Sequence, residues 1–176
     1  ELDAAWAGEV NQFGRGDAAV AGESLVAFAD EVVTRARDLG QPHPLAAALF
    51  TRQSVGHWQG DIEGNRLLLD ELLELAAALG DDHLLHVGLL GRLRAGIQAG
   101  DREAAEEFRR RHAALAETTG HPRTTWFAMM QRSTLAQMDG AFDEAEALAL
   151  EAVAYGMAKD IPDADGAFKA ALYFNL

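Results

Sequence analysis

Arg52, Arg92 and Arg132 stand 40 residues apart, at one register of a chain that repeats with that period. Three guanidiniums brought into a row repel one another unless something anionic lies between them. Two chemistries satisfy that demand. The row is either an anion site, or a set of internal ion pairs in which each Arg faces an outer-helix carboxylate such as Glu71 or Glu151. The same periodicity aligns a second set. Phe50, Ser54, His57 and Trp58 match Leu90, Arg94, Ile97 and Gln98, then Met130, Thr134, Gln137 and Met138. His86 and Trp126 share a further equivalent position at the edge of that set. An apolar lining with a few polar groups is what a ligand pocket or a helix-binding groove requires, and methionine suits adaptable contact. The competing reading is that a further layer of protein covers these residues. On the groove reading Trp58 is partly exposed near Gln98 and Met138, an aromatic anchor for a partner.

Other combinations carry less. Asp82, His83 and His86 place two imidazoles three residues apart at a helix start. That falls short of a closed metal site and lacks the Glu set between two His of a metalloprotease helix. No stoichiometric metal is expected there. Gly14-Arg15-Gly16 has no strand before it and its third glycine is misplaced for a dinucleotide loop. Arg15-Gly16-Asp17 spells an adhesion tripeptide by chance. Arg52-Gln53-Ser54-Val55-Gly56 lacks the first glycine of a nucleophile elbow, and three serines in the whole chain offer little choice of nucleophile. Arg109-Arg110-Arg111-His112 reads as a solvated helix face in an acidic chain, with an acidic docking contact as its alternative. No catalytic residue and no cofactor is expected.

The elements that must position these groups are helices. Gly60, Gly100 and Gly140 alternate with Gly40, Gly80 and Gly120, so a glycine falls every 20 residues. A glycine suits the C′ position of one helix, and Asp61 or Asp101 then caps the next. Pro42, Pro44, Pro122 and Pro162 mark other junctions, since proline is tolerated in a first turn and blocks continuation of the preceding helix. The pattern predicts helix pairs over roughly 2–39, 44–79, 82–119 and 123–158, with a further helix from 163. We term the helices before Gly60, Gly100 and Gly140 inner, and those after them outer. Small residues recur on inner helices at Ala48, Gly88 and Ala128, and at Gly56, Gly96 and Ala136, where they allow close helix approach. Outer helices carry Leu68, Phe108 and Leu148, then Leu75, Leu115 and Tyr155, on an expected buried stripe. A fixed period in this range marks a solenoid of stacked helix pairs. The expected fold is all-α: one right-handed helical-repeat solenoid domain spanning 1–176.

Composition agrees. Hydrophobic residues make up 49% of the chain but aromatics only 7%, which favours helix over sheet. The formal net charge of −13 disfavours direct binding to nucleic acid or to an acidic membrane surface. It slightly favours a basic partner. Cysteine is absent, which excludes disulfides and thiol chemistry and suits the cytoplasm. No stretch reaches the roughly 18 apolar residues of a membrane span. The chain lacks an initiator Met and begins and ends within helical patterns, so a fragment of a longer protein is expected.

Gly140-Ala141-Phe142-Asp143-Glu144-Ala145 is a tetratricopeptide-like phrase, although that repeat runs about 34 residues and its inner-helix Trp and Tyr are missing here. The run Leu67 to Ala76 through Leu79-Gly80-Asp81, then Gly91-Arg92-Leu93 before Gly100-Asp101, and Phe142 to Ala149 resemble one known group. It is the C-terminal helical-repeat region of large actinobacterial signalling proteins. The resemblance covers roughly residues 40–176. In that group an ATPase module precedes the repeats, and an adenylate-cyclase-like or LuxR-type DNA-binding domain often completes the chain. The resemblance implies a sensory or scaffolding role and carries over no catalytic residues. The leading expectation is therefore a non-enzymatic regulatory module. A small ligand, a protein or peptide partner, or the neighbouring domains would engage Phe50, His57, Trp58, Arg94, Gln98, Trp126, Met130 and Met138. Arg52, Arg92 and Arg132 are possible anion contacts. The alternatives are a protein-interaction scaffold with no small ligand, and an enzyme using His57, or His83 and His86, as base or metal ligands.

Overall fold

A computed structural model describes residues 18–56, 61–162 and 164. The described residues form seven α-helices and no strand. In chain order they are α1 (Ala18–Leu39), α2 (Pro42–Gly56), α3 (Ile62–Leu79), α4 (Asp82–Ala99), α5 (Arg102–Thr119), α6 (Pro122–Met138) and α7 (Phe142–Ala158). The helices expected before residue 14 and from 163 lie outside the described residues, as do the Gly14 and Arg15 motifs. Two compact units divide the chain, Glu1–Ala99 and Gly100–Leu176.

The punctuation works as local chemistry dictates. Gly40, Gly80, Gly100, Gly120 and Gly140 all take positive φ, between 59° and 75°, a region open to glycine at little cost. The Asp61 carboxylate accepts the Gly64 N–H at 2.9 Å, and Asp101 accepts that of Ala104 at 2.9 Å. Asp81 caps α4 in the same way, accepting from Leu84 at 3.0 Å. Pro122 opens α6, where its missing N–H is no loss. Within each unit, turns this short fold consecutive helices into antiparallel hairpins, so residues equidistant from a turn meet.

In the first unit α1 packs on α2, α2 on α3 and on α4, and α3 on α4. Its core joins Val33, Ala36, Ala46, Ala48, Leu49, Leu69, Leu72 and Ala95. Close approach depends on the small residues. A Cβ on Gly88 would stand 2.8 Å from Leu73 Cδ2, and one on Gly91 2.4 Å from Leu69 Cδ2. In the second unit α5 packs on α6 and α6 on α7. Ser133 Oγ ties α6 to α7 by donating to the Ala145 carbonyl at 2.7 Å.

The buried stripe of the outer helices is offset from the expected one. Phe108 is buried, but Leu68, Leu75, Leu115, Leu148 and Tyr155 are only half-buried. The buried positions include Leu69, Leu72 and Ala76, then Ala105, His112 and Ala116, then Ala145, Ala149 and Ala152. The inner helices approach closely enough that small residues and Leu suffice to fill the contact.

Candidate functional site

The ladder arginines are paired in the first unit, but to different acids from those expected. Arg52 Nε on α2 donates to Asp30 Oδ1 on α1 at 2.5 Å. Arg92 Nε on α4 lies 2.8 Å from Asp70 Oδ1 on α3. Glu71 instead takes Arg37 in a two-point contact, which raises the Arg37 pKa, chiefly through the hydrogen bond. Hairpin geometry explains the correction. Asp30 and Arg52 each lie 11 residues from Gln41, and Asp70 and Arg92 each lie 11 from Asp81. Antiparallel helices join such positions, whereas Glu71 and Glu151 are out of register.

Both arginines are held inward: 9% of the Arg52 side chain and 13% of the Arg92 side chain are exposed. Asp61 Oδ2 adds a second carboxylate 3.9 Å from Arg52. Gly56, one turn on from Arg52, makes the inward pose possible. A Cβ there would stand 2.2 Å from Arg52 Nη1 and 2.6 Å from Asn65 Oδ1. The small-residue position at 56 is thus the space into which the ladder arginine folds.

The third member differs. Arg132 on α6 is exposed and has no ion-pair partner among the described residues. The position 11 residues before His121, which should supply its carboxylate, is Arg110.

The groove set is divided by the structure. Phe50 on α2 is 39% exposed, and Arg94 and Gln98 on α4 are exposed. These helices belong to the first unit and pack against each other. Arg94 has no hydrogen-bond or ion-pair partner among the described residues. Desolvation by surrounding protein nevertheless lowers its pKa. The residue is exposed while surrounding protein disfavours its charged form, and an arginine remains charged in that setting. Ser54 Oγ is occupied by the Phe50 carbonyl at 2.9 Å. His57 and Trp58 lie outside the described residues. In the second unit Met138 is exposed and Met130 half-buried.

Trp126 is a correction. It is 3% exposed and belongs to the core with Ala152, Ile161 and Ala164. Phe127 meets it edge-on at 4.8 Å between ring centroids. Gly156 admits the indole, since a Cβ there would come within 2.9 Å of Trp126 Nε1. His86, expected beside Trp126 at the groove edge, is buried as well. His83 is exposed, and the two imidazole centroids are 6.4 Å apart. Among the described residues no group of three His, Asp or Glu could hold a metal ion. No described helix is long and apolar enough to cross a membrane.

The solvated face expected of Arg109-Arg110-Arg111-His112 is corrected at His112, which is buried in a polar pair. His112 on α5 is fully enclosed, with Nδ1 3.2 Å from Gln131 Nε2 on α6. Desolvation pushes the His112 pKa down to about 4, so the ring is neutral at pH 7. The signal was periodicity, since 112 falls in line with Ala105, Phe108 and Ala116. The neighbouring arginines concealed it. Arg109 Nη2 turns to Glu106 Oε1 at 2.6 Å and Arg110 Nη2 to Glu107 Oε2 at 2.9 Å. Arg111 lies over the Phe108 ring at 5.1 Å.

No protein-family model matches the chain, and no curated protein sequence matches it.

Proposed function

We propose that this chain is a non-enzymatic binding and regulatory module, built as a right-handed solenoid of tetratricopeptide-like helix pairs. It would serve a cytoplasmic bacterial signalling or transcription regulator, of the actinobacterial kind that its helical phrases resemble. The observation that carries this reading is Arg94: an exposed residue whose charged form surrounding protein disfavours, without a carboxylate of its own. Exposed Phe50 on the adjoining helix supplies apolar contact, and Gln98, one turn further along α4, supplies amide hydrogen bonds. A ligand or partner carrying an anionic group beside an apolar one fits these three. Binding that favours one packing of α2 on α4 would shift the population of an attached effector domain.

A scaffold without a small ligand is the second reading. It is favoured by Phe142, Leu150 and Met157, all exposed on α7. They fall within about 80° on its helical wheel.

Thermal-shift screening of carboxylates and short amphipathic peptides tests the first reading. A compound that binds should lose at least about tenfold in affinity to both Arg94→Ala and Phe50→Ala, equivalent to the loss of one charge-assisted contact. Both variants should melt like the parent. Ligands that bind the variants and the parent equally would remove the proposal.

A further inference from the structure

The third rung of the arginine ladder has lost its carboxylates and its glycine together. Arg110 stands where Asp30 and Asp70 stand, and Ala141 replaces the Asp61 that lies 3.9 Å from Arg52. Ala136 replaces Gly56, where a Cβ would come within 2.2 Å of an inward arginine's Nη1. Arg132 therefore cannot fold inward as Arg52 does, and its guanidinium stays in solvent.

The register of this hairpin is fixed on both sides of the rung. The His112–Gln131 contact at 3.2 Å lies on the turn side, and the Arg102–Asp139 pair at 2.8 Å lies beyond it. Between them, Arg110 and Arg132 are equidistant from the turn and reach the same height on adjoining helices. Glu107 compensates Arg110 from its own helix, while α6 carries two arginines and no Asp or Glu. On a molecule of net charge −13 this is a local reversal of sign.

We propose that the Arg110–Arg132 rung is an anion-binding site for a carboxylate supplied from outside the chain. Such a group would take the place that Asp30 and Asp70 hold in the other two rungs. Those rungs define the chemistry, since the arginine at this register meets a carboxylate oxygen at 2.5–2.8 Å. Arg132 offers its whole guanidinium to a planar oxyanion, and Arg110, held to Glu107 through Nη2, keeps further N–H donors. The site lies wholly in the second unit and does not depend on Arg94.

The test uses the full chain with 15N-labelled arginine at pH 7, titrated with succinate or with a hexa-aspartate peptide at matched ionic strength. The Nε–Hε resonances of Arg132 and Arg110 should move saturably. Arg132→Gln should abolish the response. Arg110→Asp, which restores an internal carboxylate, should weaken binding at least about tenfold and raise the melting temperature by about 2 °C. Tighter binding of the peptide assigns the carboxylate to a partner protein, and tighter binding of succinate assigns it to a small diacid. Either result supports the site. Two results overturn it: shifts no larger than sodium chloride gives at equal ionic strength, or an Arg110→Asp variant that binds as tightly as the parent.

Discussion

The hairpins α3–α4 and α5–α6 share one register and fill it with opposite chemistry. In the first, Leu69 lies over Gly91, Leu72 is fully enclosed and Asp70 neutralises Arg92. In the second, the same positions are Arg109, Gln131, His112, Arg110 and Arg132. The changes are coupled. Once Gly91 becomes Gln131, the space that Leu69 uses is occupied. Arg109 then turns away to Glu106, and the amide of Gln131 meets His112 instead. An apolar contact and a half-buried ion pair in one hairpin have become a buried polar pair and two exposed cations in the other. The backbone tolerates both, since α3–α4 and α5–α6 are helical hairpins alike.

The largest expected effect comes from forcing one hairpin's chemistry on the other. Leu72→His places an imidazole opposite Gly91, which has no side chain to meet it. Lost burial and an unsatisfied polar group should together cost about 3–5 kcal/mol. Denaturant melts measure this, and a cost below about 1 kcal/mol would show that the polar pair of the second hairpin is not a coupled arrangement.

Next in size is the pH response of the second hairpin. His112 binds its proton with a pKa of about 4 when folded and near 6.5 when unfolded. Below 6.5 the unfolded chain therefore takes up the proton first. Stability falls as pH drops from about 6.5 to 4, by up to about 3 kcal/mol for this group alone. Unfolding free energies of the parent and of His112→Leu should diverge over that interval. Parallel pH profiles would mean that His112 is not held neutral by its enclosure.

Third are the ladder rungs. Arg92→Ala removes the cross-helix partner of half-buried Asp70, which keeps Arg66 at 3.0 Å, and should cost about 1 kcal/mol. Arg132→Ala removes an exposed cation with no internal partner and should stay within about 0.5 kcal/mol. Equal losses would contradict the distinction between filled and unfilled rungs.

The helices and their ends were legible because they rest on local chemistry. A glycine, then Asp or Pro, suffices to end one helix and begin the next, as at Gly80-Asp81 and Gly120-His121-Pro122. The ladder was legible as three arginines, but its partners were not, because Glu71 and Glu151 satisfy charge without satisfying register. Counting outward from each turn would have found Asp30 and Asp70, and would have found Arg110 in the third place. Trp126 was misplaced for another reason. Its burial depends on Ala152 and Gly156 of the following helix, and those small residues became informative only once α6 and α7 were seen to meet. The three arginines before His112 hid a core position whose periodicity was plain.

The smallest expected difference between the two hairpins lies at their shared feature. Asp81 caps α4 and Asp101 caps α5, each accepting the N–H of the third residue on, at 3.0 and 2.9 Å. Neither bond depends on what fills the rungs. Asp81→Ala and Asp101→Ala should therefore each cost about 1 kcal/mol, the usual loss of an N-cap. The two costs should agree within about 0.5 kcal/mol, the level at which independent sites are expected to behave alike. The same pair separates two accounts of the fold. If turn chemistry sets the hairpins, the cap losses match although α4 packs on the Leu-rich α3 and α5 packs on α6 around His112. If rung packing sets them, the Asp81 cap would cost less than the Asp101 cap, because the apolar contacts of α3–α4 would hold that helix start in place without it. Thermal melts of the two single variants, read against the Leu72→His variant, decide between these accounts.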